Sequence, residues 1–359
     1  MSICLNMIVK DEAAVIARCL ASIKPWIDCW TIVDTGSSDS TKEIVRETMR
    51  DVPGELHERP WRDFGHNRGE ALDLARDKAD YLLFIDADET LGAAPGAAWP
   101  NLHEPAYSLE TRFGELRYDR VSLVNTHLPW RWVGVLHEYL DAGKPIAQPR
   151  VPGFWIDVRA EGARSKDPAK YEKDAAILEA ALAVEPGNAR YAFYLAQSYR
   201  DAGKLQIARE WYEKRASMGG WDEEAWYARF QCARLADLLG EESALVTSAY
   251  MRAYESRPTR AEPLVLLARH FRLRNEWNSA YLIASAARAI APSQDRLFVD
   301  ATAYGWSRDD EFALASFYTG RVADAARIWK GLLEGAELPA SERPRIEQHL
   351  SFTSGKQPG

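Results

Sequence analysis

The sequence predicts an α/β domain built on a mostly parallel sheet, followed by an all-α domain of stacked helix pairs. Three observations carry this expectation. Over residues 1–90 short apolar runs alternate with amphipathic stretches, the βαβ rhythm of a parallel sheet covered on both faces. Strand signals cease after Asp167-Pro168. Beyond that point residue types recur at a fixed interval, which is how stacked helical units announce themselves. A chain of 359 residues and 40.5 kDa also exceeds what one core usually fills. The expected domains are 1–165 (α/β), 168–335 (helical repeats) and 336–359, a terminal helix with a frayed tail.

Each element has its own signal. Residues 4–9 are an apolar first strand, and 12–23 place Val15, Ile16, Cys19, Leu20 and Ile23 on one helical face. Residues 29–33 are a β-branched and aromatic strand that stops at Asp34. Ser40-Thr41-Lys42-Glu43 fits a capping box opening a second helix through Met49. A short strand at 55–58 and a helix at 68–78 precede the apolar strand 81–85, which stops at Asp86. Strands at 106–113, 120–124, 130–135 and 155–159 then form a smaller, antiparallel region.

In the helical part an interval of 72 residues links Pro186 to Pro258, Ala196 to Ala268, Tyr199 to Phe271, Leu205 to Trp277 and Ala208 to Ala280. Cys232, Leu235 and Ala244 stand at half that interval, 36. Small residues at helix crossings with aromatics between them suit helix pairs. The stretch 194–203, with Ala208 and Tyr212 after it, is similar to a tetratricopeptide repeat, and 312–332 reads as a less regular fourth unit.

Composition narrows the function. Hydrophobic residues are 47% and charged residues 27% of the chain, ordinary for a folded soluble protein. A net charge of -8 and a pI near 5.5 argue against a nucleic-acid partner. No apolar run is long enough for a transmembrane segment, and the opening residues read as a strand, not a signal peptide. Cys4, Cys19, Cys29 and Cys232 form no CxxC pair, as expected of reduced thiols in a cytoplasmic protein.

Ligands of open α/β sheets sit outside the carboxyl ends of the strands. Asp34 and Asp86 both end strands, so both should face that edge. Asp34 leads the small-residue turn Thr35-Gly36-Ser37-Ser38-Asp39. It either accepts the N3 proton of a pyrimidine or merely makes a tight turn and helix cap. Asp86-Ala87-Asp88-Glu89 places alternate carboxylates past a buried strand, which suits Mg²⁺ or Mn²⁺ holding a diphosphate.

Taken together, these motifs resemble the inverting family 2 glycosyltransferases of GT-A fold. The resemblance lies in residues 3–12, in Val33-Asp34-Thr35-Gly36-Ser37-Ser38-Asp39, in Asp63-Phe64-Gly65-His66-Asn67-Arg68 and in Ile85-Asp86-Ala87-Asp88. With the repeats behind it, the chain is similar to bacterial protein and peptide glycosyltransferases, including the S-glycosyltransferases of glycopeptide bacteriocins. The fold class implied is a nucleotide-sugar-binding, Rossmann-like GT-A domain followed by a tetratricopeptide-repeat solenoid. The resemblance implies that Asp34 contacts the base, Asp86 lies near ribose and metal, Asp88 ligates the metal, and Arg68 approaches the nucleotide. Gly69 stands where the family usually has asparagine after this arginine. His137-Glu138 resembles a His-Glu pair of one branch, implying His137 as metal ligand and Glu138 as the base for the acceptor, with Asp141 and Glu89 as rivals.

The activity so implied is metal-dependent hexosyl transfer from a nucleotide-sugar, a UDP-sugar, to a protein, peptide or glycan acceptor. Mn²⁺ or Mg²⁺ is the cofactor, and the repeats hold the acceptor or form a homodimer. The alternatives are a catalytically inactive nucleotide-binding scaffold, a lipopolysaccharide-directed transferase, and a nucleotidyltransferase. The last is disfavoured by the absence of glycine from residues 6–12.

Overall fold

Alternation in the first strand sets the layering of the N-terminal unit. In β1 (Ile3–Val9) the side chains of Ile3, Leu5, Met7 and Val9 enter one apolar core, and Cys4 enters a second on the opposite face, as the two-residue period of a strand requires. Leu83 and Leu82 repeat the division in β4 (Tyr81–Phe84). The structure is a computed structural model describing residues 1–114, 116–159, 161–163 and 167–354. The expected boundary at 165 and the expected frayed tail beyond 354 lie outside the described residues.

Helices cover both faces of this sheet. From α1 (Ile16–Ile23) come Ile16, Cys19, Leu20 and Ile23, and from α2 (Thr41–Thr48) Val45, all in the first core. Leu72 and Ala75 of α3 (Phe64–Ala75) enter the second. Asn6 is buried in β1, and its amide donates to the Ala71 carbonyl at 2.7 Å, fixing α3 over the strand. Each fully buried aliphatic side chain contributes about 1.5–3 kcal/mol.

Further strands of the sheet are β2 (Cys29–Asp34), β3 (Gly54–Glu58), β5 (Glu89–Ala93), β6 (Ala106–Phe113), β7 (Leu116–Asn125) and β10 (Arg150–Val158). Their order is β3-β2-β1-β4-β7-β6-β10-β5. β1 to β4 are parallel, β7 runs antiparallel to β4 and β6, and β10 lies parallel to β6 but antiparallel to β5. A separate hairpin joins β8 (Arg131–Val133) to β9 (Tyr139–Asp141).

Three local expectations are corrected. The strand expected at 130–135 stops at Val133, because Gly134 takes φ +112. The helix expected from residue 68 starts at Phe64, where the Asp63 carboxylate accepts from the His66 amide. The Ser40 side chain makes no cap; Asp39 does, accepting from the backbone and hydroxyl of Thr41.

The chain divides into two compact units, Met1–Ala202 and Gly203–Gly359. Helices α4 (Lys170–Val184) and α5 (Ala189–Asp201) belong to the first. The second carries α6 (Leu205–Ser217), α7 (Asp222–Leu238), α8 (Ser243–Ser256), α9 (Glu262–Leu273), α10 (Trp277–Arg288), α11 (Trp306–Tyr318), α12 (Val322–Glu334) and α13 (Arg343–Phe352). Each packs on its successor, and α9 also touches α7 and α11, as stacked helix pairs do. Ala208, Val246, Ala280 and Ala325, each three residues into its helix, are all buried. The half-interval partner of Ala208 is therefore Val246 and not the exposed Ala244. The 17-residue α7 lengthens that repeat.

Arg215 is wholly buried here, paired with Glu224 at 3.1 Å and donating to the Gly219 and Trp221 carbonyls. Removing one member of a buried pair strands the other charge. Glu224→Ala is thus expected to cost about 3–5 kcal/mol in denaturant unfolding of the full chain, whereas an exposed pair such as Lys330–Glu334 should give almost nothing on Glu334→Ala.

Candidate functional site

The carboxyl edge of β1, β2 and β4 is built by side-chain to backbone bonds between loops. Asp34 ends β2 opposite Val9, and its Oδ1 accepts from the Gly36 and Ser37 amides at 3.0 and 2.9 Å. The turn needs glycine at 36, where φ is +105. The facing loop is tied to it: Asp11 Oδ1 accepts from the Ser38 amide at 2.7 Å, and Thr41 Oγ1 from the Glu12 amide at 2.8 Å. Asp34 Oδ2 is left buried without a hydrogen-bond partner. A buried carboxylate oxygen without a donor is costly, and a ligand N–H would satisfy it.

Asp86 lies just past β4, on the other side of β1. Arg68 projects from α3 and joins three groups: it donates to Asp86 Oδ1 at 2.6 Å, forms an ion pair through Nε with Glu138, and lies over the Trp132 ring at 5.1 Å. Its planar fork permits two carboxylates at once. The Arg68 and Glu138 side chains are 14% and 8% exposed, against 39% for Asp86, so Asp86 is the member open to an incoming ligand. Glu138 reaches Arg68 because Gly65 of α3 abuts the turn after β8. A Cβ there would stand 2.6 Å from the Gly134 carbonyl oxygen.

A second arginine neutralises this end of the site. Arg120 of β7 pairs with Glu89, Nη1 to Oε1 at 2.8 Å, and lies 3.8 Å from Asp86. Glu89 also accepts from the Asp86 amide at 2.9 Å. Burial pushes the Asp86 carboxyl up, but Arg68 and Arg120 pull it down further, and the net direction is down. Burial dominates at Glu89 and leaves it raised despite Arg120. Both guanidiniums are raised: burial opposes their charge, and Asp86 with Glu138, or Glu89, more than offsets it.

The two remaining expected site residues stand differently. Asp88 Oδ2 accepts from the Gly162 amide at 3.2 Å, and the Glu12 carboxylate accepts from the Ala163 amide at 3.3 Å. Both carboxylates therefore converge on residues 162–163. His137 is exposed and stacks on Tyr194 of α5, with centroids 3.8 Å apart at 9°. Among the described residues no three His, Cys, Asp or Glu side chains converge as a metal-ligand set. Mg²⁺ and Mn²⁺ ordinarily take one or two carboxylates with substrate phosphates completing the shell, and Asp88 with Glu12 beside it fits that mode. Of the rival bases, Asp141 is tied to Arg131 at 2.6 Å, which holds its carboxyl below the usual range.

Residues 4–94 match the sequence model of Glycosyl transferase family 2. This stretch is a glycosyl transferase family 2 domain, standing ahead of tetratricopeptide-like helix pairs. A TPR repeat-containing protein of Synechococcus elongatus is 28% identical over 312 residues, covering 80% of this chain and 75% of that protein. A tetratricopeptide repeat protein of Parabacteroides merdae (18% identity, 52% of this chain and 68% of that one, TM-score 0.38) and a thermophilic TPR protein of Thermus thermophilus (16%, 51% and 92%, 0.36) are similar in structure. TM-scores that low add nothing to the family 2 assignment.

Sequence reasoning gave no site role to Arg120, Glu12 or Gly65. Arg120 stands ahead of Val121, Leu123 and Val124, and a charge entering a strand was the available signal. The acids flanking the family 2 turn are now distinguishable. Glu89→Gln removes half of a buried pair and is expected to lower the unfolding temperature of the ligand-free protein. Asp88→Asn, half-buried with one amide partner, should leave it within experimental error.

Proposed function

We propose that this chain is an inverting, metal-dependent glycosyltransferase that moves a hexose from a UDP-sugar to a protein, peptide or glycan acceptor. The observation that carries the reading is the unpartnered, buried Asp34 Oδ2. It lies inside the family 2 domain, on the same edge as Arg68 and Asp86. A pyrimidine N3–H offers the missing donor, and the Gly36 turn lets the base approach the backbone.

Asp86, the most exposed acid of the cluster, orients the ribose. Asp88, with Glu12 beside it, would hold a divalent cation, which supplies positive charge to the leaving diphosphate when bound. Arg68 binds the diphosphate, and the donor competes with Glu138 for its guanidinium. Released from Arg68, Glu138 takes the proton of the acceptor nucleophile as that atom attacks the anomeric carbon. The bond from C1 to the phosphate oxygen breaks in line, and UDP leaves.

For the acceptor, a groove of about 620 Å³ in the second unit is lined by Glu213, Arg229, Arg252 and Glu255 among others. Its size, its two acids and its two arginines suit a peptide segment. A homodimer through the helices is the other role proposed for this unit.

Incubation with a panel of nucleotide-sugars tests the reading. Release of UDP from one UDP-sugar, stimulated by Mn²⁺, is the expected result. Pyrophosphate turnover would identify a nucleotidyltransferase, and nucleotide binding without turnover an inactive scaffold. Glu138→Gln should bind the donor no more weakly than wild type, since Glu138 is its competitor for Arg68, and lower transfer by roughly 10²- to 10⁴-fold, the usual loss for a general base. An unchanged rate would remove Glu138 from the reaction. Arg229→Ala with Arg252→Ala should raise the acceptor KM and leave UDP release to water intact.

A further inference from the structure

The turn between β8 and β9 carries Glu138 in a conformation that its own sequence does not favour. Gly134 and His137 both have positive φ, +112 and +52. Glycine adopts such angles freely, but histidine does so uncommonly. A residue held there persists only where its surroundings fix it, and such residues cluster at functional sites. On the α3 side the turn is fixed by Gly65 against the Gly134 carbonyl. On the other side it is fixed by α5. Arg190 Nε donates to the His137 carbonyl at 3.0 Å, and the Tyr194 ring stacks on the imidazole. The Arg190 guanidinium also covers Tyr139, just after Glu138, at 5.1 Å and Tyr194 at 4.9 Å.

We infer that α5 is a positioning element for the acceptor base: Arg190 and Tyr194 hold His137 in the left-handed conformation that turns Glu138 toward Arg68. The inference rests on the reading of Glu138 as that base. It gives His137 a role other than metal ligation. It also makes the helical hairpin that follows the family 2 domain part of the catalytic apparatus, so that helix and transferase chemistry are read out together.

The test uses the full chain with UDP-sugar and acceptor, measuring kcat, KM and UDP affinity in Mn²⁺. Tyr194→Ala should lower kcat on the order of 10²-fold, the scale of a displaced catalytic group, with UDP bound no more weakly than by wild type. Tyr194→Phe, which keeps the stack, should restore the rate. His137→Gly should retain more activity than His137→Ala, because only glycine accepts φ +52 without strain. Should Tyr194→Ala not fold, Arg190→Met carries the same expectation from a half-buried position. A merely structural role would lower stability and leave kcat of the folded protein unmoved. Wild-type kcat in folded Tyr194→Ala and Arg190→Met would overturn the inference while Glu138→Gln stayed impaired. Equal loss of Mn²⁺-dependent UDP affinity in His137→Gly and His137→Ala would overturn it by making His137 a ligand. An active Glu138→Gln enzyme would instead bring down the base assignment beneath it.

Discussion

One guanidinium draws together parts of the chain that no sequence interval links. Arg68 leaves α3, meets Asp86 past the end of β4 and Glu138 in the turn after β8, and rests on Trp132. Arginine is suited to this because its charge persists at every working pH and its donors lie in one plane. Two carboxylates beside each other would repel. Arg68 between them, and Arg120 against Glu89 and Asp86, hold the acids close, and the two arginines keep the Asp86 carboxyl below its ordinary range. The cluster is therefore both a structural tie and a store of oriented charge, which is what transfer of a sugar from a diphosphate requires.

The sheet supplies the frame for this tie. Because β1, β2 and β4 run parallel, Asp34 and Asp86 emerge at the same edge with β1 between them. Both faces of β1 are committed to apolar cores or to the Asn6 bond with α3, so the register cannot slip by one residue without exposing the set. Loops above the edge are joined by short polar bonds. That leaves Asp34 Oδ2 as a fixed acceptor awaiting a donor.

Much of this was legible in the residues. Strand ends at Asp34 and Asp86 follow from apolar runs that stop at acids, and the βαβ rhythm places them on one edge. The helical region showed itself through buried small residues such as Ala208 and Ala280. What sequence could not convey was pairing across long intervals. Arg120 and Glu89 stand 31 residues apart, and Glu138 finds Arg68 through a turn whose shape depends on Gly65 and on α5. The strand expected at 130–135 forms at Arg131–Val133 but ends early for the same reason: apolar and aromatic content favours a strand, and Gly134 with the packing around it dictates a turn. Half-interval matching failed at Ala244 because helix length, not residue count, sets which position is buried.

The central claim is that a nucleotide diphosphate binds across this edge, with its base on Asp34 and its phosphates at Arg68. A crystal structure of the full chain with UDP and Mn²⁺ tests it most directly. The account predicts the uracil N3 within hydrogen-bond distance of Asp34 Oδ2, the diphosphate at the Arg68 guanidinium and the cation at Asp88. UDP bound elsewhere, with the Arg68–Glu138 pair undisturbed and Asp34 Oδ2 still without a donor, would contradict it.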